Sequence, residues 1–147
     1  MPPSDLIGDA FGVGPVRQPR LNVLATGLPM TGAIEATVTS AGYFSADRFR
    51  VRAALQGDAG LWSAMPQIFV DVQMALSPLG GFLSLVQGYA DLISIDPIDG
   101  TLLLEGRDLS SGLIEARTQE TFANRTASDI ATTLAGRHGL TPNVAAS

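Results

Sequence analysis

Apolar and polar residues alternate along most of the chain, which is the spacing of strands whose side chains point to opposite faces of a sheet. The segment Asp47–Leu55 shows the pattern most clearly, with arginines on the face opposite its apolar residues Phe49, Val51, Ala53 and Leu55. Five further segments have strand patterns: Leu21–Thr26, Ala33–Ser40, Gln67–Leu76, Phe82–Ile95 and Gly100–Gly106. The pattern therefore predicts a domain of six or seven strands.

Turn-forming residues separate these segments. The run Asp96-Pro97-Ile98-Asp99-Gly100 joins the last two strands and predicts a hairpin. Gly88 lies in the middle of Phe82–Ile95, where it predicts a bend or a bulge. The stretch Gly57–Pro66 is predicted to be a loop, with Leu61 and Trp62 at its tip or buried beneath it.

Helix signals are concentrated late in the chain. Thr126 followed by Asp129 is a capping-box pattern, because the threonine hydroxyl can accept from the Asp129 backbone amide. Gly139 can take the left-handed position that ends a helix. The residues Ile130, Leu134 and His138 share one face. Asp108 is predicted to cap a shorter helical turn at Leu109–Leu113, followed by a second extended run that ends at Phe122.

This order of elements predicts a mainly β fold with a late α-helix, most simply an antiparallel β-barrel that closes its own edges. We expect an extended N-terminal arm at 1–19, a barrel domain at 20–124 and a packing helix at 125–140. Residues 141–147 are predicted to be a tail or the start of a following domain that is cut short. The arm is rich in Gly and Pro, so it is either a frayed terminus or a segment that docks on a neighbour.

Composition supports one domain with a real core, since 46% of the 147 residues are hydrophobic and 16% are charged. The net charge of −5 argues against a nucleic-acid footprint over the whole surface. The chain has no Cys and a single His, which excludes disulfides, thiolate sites and multi-histidine metal clusters. No signal peptide and no apolar run of about 20 residues is visible, so we expect a soluble protein made in the cytoplasm.

The residues that could be catalytic or bind a metal are better explained by structural roles in turns, ion pairs and helix caps. Asp96 and Asp99 bracket a proline turn, and with Asp91 they lack the dense oxygen ligands of a calcium loop. A charged group after one strand, Glu105, Arg107 and Asp108, is expected to form an ion pair and a helix cap rather than a glycosidase pair. His138 is expected to lie at a helix C-terminus, where the macrodipole favours an imidazolium. We therefore expect no catalytic residue, no cofactor and no metal site.

Arg48, Arg50 and Arg52, named here the arginine ladder, lie on one strand face. Three neighbouring cations repel each other unless other groups compensate their charge. One interpretation is a solvated face balanced by Glu35 or Asp71 on neighbouring strands. The other is an interface, either to an acidic protein partner or to nucleic acid passing through a lumen. Further interface candidates are the arm at 1–19, the Leu61–Trp62 loop and the segment Pro78–Leu85.

Three motifs in the last third of the chain resemble a known family when taken together. They are L-L-L-E-G-R-D-L-S-S-G-L at Leu102–Leu113, T-Q-E-T-F-A-N-R-T at Thr118–Thr126 and S-D-I-A-T-T-L-A-G-R-H-G-L at Ser128–Leu140. In this order they resemble the tail-hub proteins of long-tailed phages, the late control protein D family. That family includes the hub part of type VI secretion spikes and of gene transfer agents. The earlier A-D-R-F-R-V at Ala46–Val51 is similar to a strand near the start of the family's barrel.

The resemblance implies a structural protein of a virion or tail-like particle, assembled in the bacterial cytoplasm. Its partners would be copies of itself in a trimeric or hexameric ring, together with tail-tube, tape-measure and tip or spike proteins. DNA would pass through the lumen without specific binding, and no membrane insertion is implied. Family members are longer, so we expect either a truncated copy or a minimal hub portion.

Two other functions stay open. The first is a small β-barrel binding module that recognises a carbohydrate or a peptide. The second is a hydrolase-type enzyme, which the residues favour far less because they offer no visible nucleophile for His138.

Overall fold

A single antiparallel sheet forms the body of the protein in the computed structural model, which describes residues 19–43, 45–77 and 79–145. Its seven strands are β1 (Arg20–Ala25), β2 (Leu28–Pro29), β3 (Ala33–Thr39), β4 (Arg48–Ala54), β5 (Phe69–Ala75), β6 (Leu83–Asp96) and β7 (Thr101–Asp108). They lie in the order β2-β1-β5-β6-β7-β4-β3. The described residues also form three helices: α1 (Ala59–Ala64), α2 (Ser110–Glu115) and α3 (Ala127–Arg137).

The core lies on one face of this curved sheet. Along β4 every second residue is buried and the residues between are exposed, as the sequence pattern predicts. β7 follows the same rule, with Leu102 and Leu104 almost fully buried. The buried cluster consists of Val23, Ala25, Phe49, Val51, Ile68, Val70, Val72, Val86, Leu102 and Leu104.

The longest strand, β6, joins the two halves of the sheet. Its first half pairs with β5 and its second half pairs with β7, with a register shift between Ala90 and Leu92. Gly88 lies where the two pairings overlap, but the register shifts of β6 lie on either side of it, around Leu85 and Asp91, so the predicted bend or bulge is not at Gly88 itself. Backbones approach closely here, because a Cβ at Gly88 would overlap the Arg107 carbonyl oxygen.

The predicted closed barrel is wrong, since the sheet is an open half-barrel. β2 pairs with β1 through only two residues, Leu24↔Pro29 and Ala25↔Leu28, before the chain turns into β3. β1 and β3 are not neighbours in the sheet. A cavity of ≈ 400 Å³ separates them, lined by Leu21, Ile34, Val38, Val72, Met74 and Leu85 among others. Apolar side chains therefore line the gap, and backbone hydrogen bonds do not close it.

The six predicted strands are confirmed, with ends that differ by a few residues. Two elements were not predicted. β2 is too short to show a period, and the predicted loop Gly57–Pro66 contains α1. Asp58 caps α1, because its Oδ1 accepts from the Gly60 amide at 2.8 Å.

The region after β7 corrects two further predictions. The N-cap of α2 is Leu109, without a side-chain cap, so Asp108 does not cap this helix. Asp108 instead accepts from the Ser110 hydroxyl at 2.7 Å. The extended run that was predicted to end at Phe122 contains no strand, because α2 continues to Glu115 and irregular chain follows.

Helix α3 begins and ends where the sequence predicts. Thr126 and Asp129 form a reciprocal capping box, and Gly139 has a φ of 68°. Arg137 binds Glu120 through two hydrogen bonds of 2.9 Å, which ties the last turn to the preceding segment.

The division into an arm at 1–19, a domain at 20–124, a helix at 125–140 and a tail stays a prediction, and residues 1–18 of the arm lie outside the described residues. None of the described helices is both long and apolar enough to cross a membrane.

Replacing Gly106 by Ala should destabilise the fold. The added Cβ would overlap the Tyr89 carbonyl oxygen and the Phe49 ring, and neither the backbone nor the buried ring can withdraw freely. We expect the free energy of unfolding to fall by about 2 kcal/mol or more in urea denaturation. Gly42→Ala is the matched control, because nothing lies within 4 Å of its Cβ position. Equal stabilities of the two variants would contradict the close approach of β6 and β7.

Candidate interaction surfaces

The arginine ladder of β4 lies on the outer, exposed face of the sheet. Arg50 forms an ion pair with Glu105 of β7, with 3.2 Å between Nε and Oε1. Arg52 lies opposite Glu35 in the β3 register, and Arg48 lies opposite Arg107 of β7. Asp71, the other carboxylate predicted to balance the ladder, belongs to a separate network on β5. Cross-strand carboxylates therefore compensate the charge of the arginine ladder only in part.

Arg107 is the centre of a second charged group. Its guanidinium binds both carboxylate oxygens of Asp91 on β6, at 2.7 and 3.2 Å, and it also binds Glu115 of α2. The hydrogen bonds from Arg107 lower the pKa of Asp91, and the two carboxylates raise the pKa of Arg107. Glu105 and Arg107 thus each bind a partner on another element, as expected of structural ion pairs. Arg107 fixes α2 against the sheet.

These groups line an open groove of ≈ 360 Å³. Three arginines and two carboxylates surround it together with two threonine hydroxyls: Arg48, Arg50, Arg107, Asp91, Glu105, Thr37 and Thr39. Alternating signs of this kind suit a polar protein surface. The interleaved carboxylates weaken the attraction of this surface for nucleic-acid phosphates.

The Leu61–Trp62 pair lies on α1, and its two residues differ in burial. Trp62 is half-buried against the core cluster, and its Nε1 donates to the Gln56 carbonyl at 3.4 Å. Leu61 is exposed. Beside Trp62 lies a cavity of ≈ 380 Å³, named here the end recess, lined mainly by apolar residues: Ala25, Leu28, Pro29, Met30, Ala54, Trp62 and Met65, with Thr26, Gly32 and Gln56.

Three acidic residues lie in the turns at this end of the sheet. Asp58, Asp96 and Asp99 lie in its turns, and the sequence has no Arg or His in 26–32, 55–68 or 97–100. Asp96 is held by turn chemistry as predicted, since its Oδ1 accepts from the amides of Ile98 and Asp99 at 2.9 and 3.1 Å. Among the described residues no group of three or more His, Cys, Asp and Glu side chains could hold a metal ion.

The connection between β5 and β6 exposes large apolar residues at the opposite end. This hairpin tip comprises Leu76, Leu79, Phe82 and Leu83, and Leu79 is fully exposed. Arg20 braces the tip, since its Nη2 donates to the Gly80 carbonyl at 3.1 Å and its guanidinium lies 5.1 Å from the Phe82 ring centroid. The tip coincides with the predicted interface segment Pro78–Leu85, of which Pro78 lies outside the described residues.

A buried carboxylate on the outer face was missed from the sequence. Asp71 is 6% exposed and accepts from Ser84 Oγ at 2.6 Å, Gln73 Nε2 at 2.8 Å and Gln87 Nε2 at 3.1 Å. Asn22 extends the network by donating to Gln73 Oε1 at 2.8 Å. Neutral donors from β5 and β6 thus satisfy the charge. Asp71 and Gln73 share one strand face in the sequence, which was the available signal.

His138 lies just past the last turn of α3, as predicted. It is the C-cap residue, and its backbone amide donates to the Ala135 carbonyl at 3.0 Å. Its ring lies near Gly112 of α2. These contacts are those of a helix terminus.

Comparisons with known proteins identify a similar fold. No protein-family model matches the chain, and neither does any curated protein sequence. Among solved structures, the 43 kDa tail protein of prophage MuSo2 from Shewanella oneidensis is similar, with a TM-score of 0.57 and 16% sequence identity. The match covers 83% of this chain and 38% of the tail protein. This chain therefore shares its fold with part of a phage tail protein.

Replacing Asp91 by Asn should cost up to about 1 kcal/mol at neutral pH, because half of the Asp91 side chain is exposed. Since Arg107 lowers the folded-state pKa of Asp91, the stabilisation is present above the unfolded pKa and is lost as pH falls through the folded pKa. The stability gap between the two proteins should therefore hold from neutral pH to about pH 5 and narrow towards about pH 3. Urea denaturation across this range measures it. Thr132→Ala, at an exposed helix position without a titratable group, is the control. A gap that is constant down to pH 3 would contradict the role of the ion pair.

Proposed function

We propose that this protein is a structural component of a phage-like tail tip, a baseplate hub or distal tail protein. Copies of the chain form a ring that continues the tail tube and joins it to the tip or spike. The chain performs no catalysis in this role. After assembly the protein is part of a virion or tail-like particle, either of a phage or of a gene transfer agent.

The similarity in fold to a prophage tail protein carries this proposal. It agrees with the motifs between Leu102 and Leu140, which resemble tail hubs on separate grounds. The fold comparison rests on the path of the backbone, since the two chains are only 16% identical, whereas the motif resemblance rests on residue types. The two observations therefore support the proposal separately.

The exposed surface suits assembly. A lone soluble domain rarely exposes contiguous large apolar residues, yet the hairpin tip exposes several together with the neighbouring Leu85. The edge strands of the sheet, β2 and β3, offer further backbone groups to a neighbour. Both features would be covered in a ring.

The charge of the chain suits a conduit for DNA. The net charge of −5 disfavours adhesion of a polyanion, and the cations of the arginine ladder are interleaved with Glu105 and Asp91. DNA would then pass without specific binding. Tail-tube, tape-measure and spike proteins are the partners that this position requires.

A binding module is the second candidate, and the end recess favours it. The recess has the size of pockets that hold small ligands, which run from about 300 to 1,000 Å³, and its lining is mainly apolar. That lining suits an apolar peptide side chain better than a carbohydrate. On this hypothesis the chain would stay a monomer while it binds its ligand.

Purified protein should form assemblies that contain an integer number of 15.3 kDa copies, either alone or together with a tail-tube protein from the same particle. Multi-angle light scattering behind a sizing column measures the mass, with an unrelated monomeric β-domain of similar size as the control. A protein that stays strictly monomeric alone and with its tube partner would contradict the proposed function and favour the binding module.

A further inference from the structure

Two unlike apolar surfaces lie at opposite ends of the sheet. Because the strands are antiparallel, the β5–β6 connection shares one end with the start of β1 at Arg20. The turns after β1, β4 and β6 share the other end, where the end recess lies. The six residues of β1 separate the two ends by roughly 20 Å at about 3.3 Å per residue.

The hairpin tip projects, whereas the end recess is concave. Leu79 is 100% exposed and Leu83 is 67% exposed, so the tip leaves apolar surface in water without a partner in the described structure. The recess offers ≈ 380 Å³ between Met30, Trp62 and Met65, with Leu28 exposed at its rim. One surface can thus fill the other only if they belong to different copies.

The charges beside the two surfaces are opposite. Arg20 braces the tip through carbonyl groups and the Phe82 ring, and it has no carboxylate partner among the described residues. At the recess end of the sheet, the turns after β4 and β6 carry Asp58, Asp96 and Asp99 without a cation in the same turns, and the Leu55 amide donates to the Gly100 carbonyl between these two turns. Opposite potentials across a contact favour encounter and set its orientation.

We infer that the hairpin tip of one copy inserts into the end recess of the next copy. Leu79 and Phe82 enter between Met30, Trp62 and Met65, and Arg20 approaches the acidic turns. Because tip and recess are different surfaces, the contact is head-to-tail, and repeated contacts close into a ring or continue as a filament. This inference rests on the proposed function and names the surfaces through which copies meet.

Two exposed positions test the contact without disturbing the core. Leu79→Asp replaces the fully exposed apolar side chain of the tip with a charge, and Leu28→Asp places a charge at the recess rim, where the side chain is 72% exposed. Sedimentation velocity over a range of concentrations should show that each variant raises the Kd of self-association at least tenfold, an effect typical of a truncated central contact. Tyr43→Asp is the matched control, because it replaces another fully solvent-facing large side chain with the same charge and lies in a different connection.

Mixing the two variants gives a sharper result. The intact tip of Leu28→Asp fits the intact recess of Leu79→Asp, so the mixture should form a complex of two copies and no larger one. This result would follow from a head-to-tail contact and not from a symmetric one, in which both variants carry the same damaged surface.

Each other outcome overturns the inference. If wild type and both variants assemble equally, the contact is wrong and the proposed ring stands on other surfaces. If Leu28→Asp alone blocks assembly, a different segment or partner fills the recess. If Tyr43→Asp has the same effect as the other two, added charge rather than this contact is responsible. If the wild type does not assemble even with its tube partner, the proposed function falls as well.

Discussion

The double pairing of β6 is the interaction on which the rest of the structure depends. This one strand carries β5 and β1 on its first half and β7, β4 and β3 on its second half. Gly88 and Gly106 let the β6 and β7 backbones approach closely beside the register shift between Ala90 and Leu92. The bend wraps the sheet around Val51, Val70 and Leu104 and creates one apolar core.

The same bend also determines what remains exposed. The wrapped sheet stops short of closure between β1 and β3, and its two ends differ in shape and charge. One end projects an apolar hairpin braced by Arg20, and the other holds an apolar recess with aspartates in the turns of the same end. Two unlike ends on one subunit are what the proposed head-to-tail assembly requires.

Sequence reasoning succeeded where local rules decide the structure. β4 was predictable because every second residue faces the core, and α3 was predictable because Thr126, Asp129 and Gly139 each have a defined capping role. The open edge was not predictable, since it depends on β2 pairing through only two residues. α1 was missed because six residues show no helical period, although Asp58 marks its start.

The surfaces were predictable only in part. The segment Pro78–Leu85 overlaps the exposed hairpin tip and Trp62 lines the end recess, but their predicted role as interfaces stays a prediction. The recess itself forms from turns that are distant in sequence. Strand register decides which side chains pair, as in Arg50 with Glu105 and Asp71 with Ser84. The alternation of apolar and polar residues does not reveal that register.

The most direct test of the structural role is a cryo-electron microscopy map of the assembled particle. The account predicts a ring of copies around the tail axis at the tube's distal end, with DNA able to pass through its centre. A map that places single copies away from that axis would contradict it.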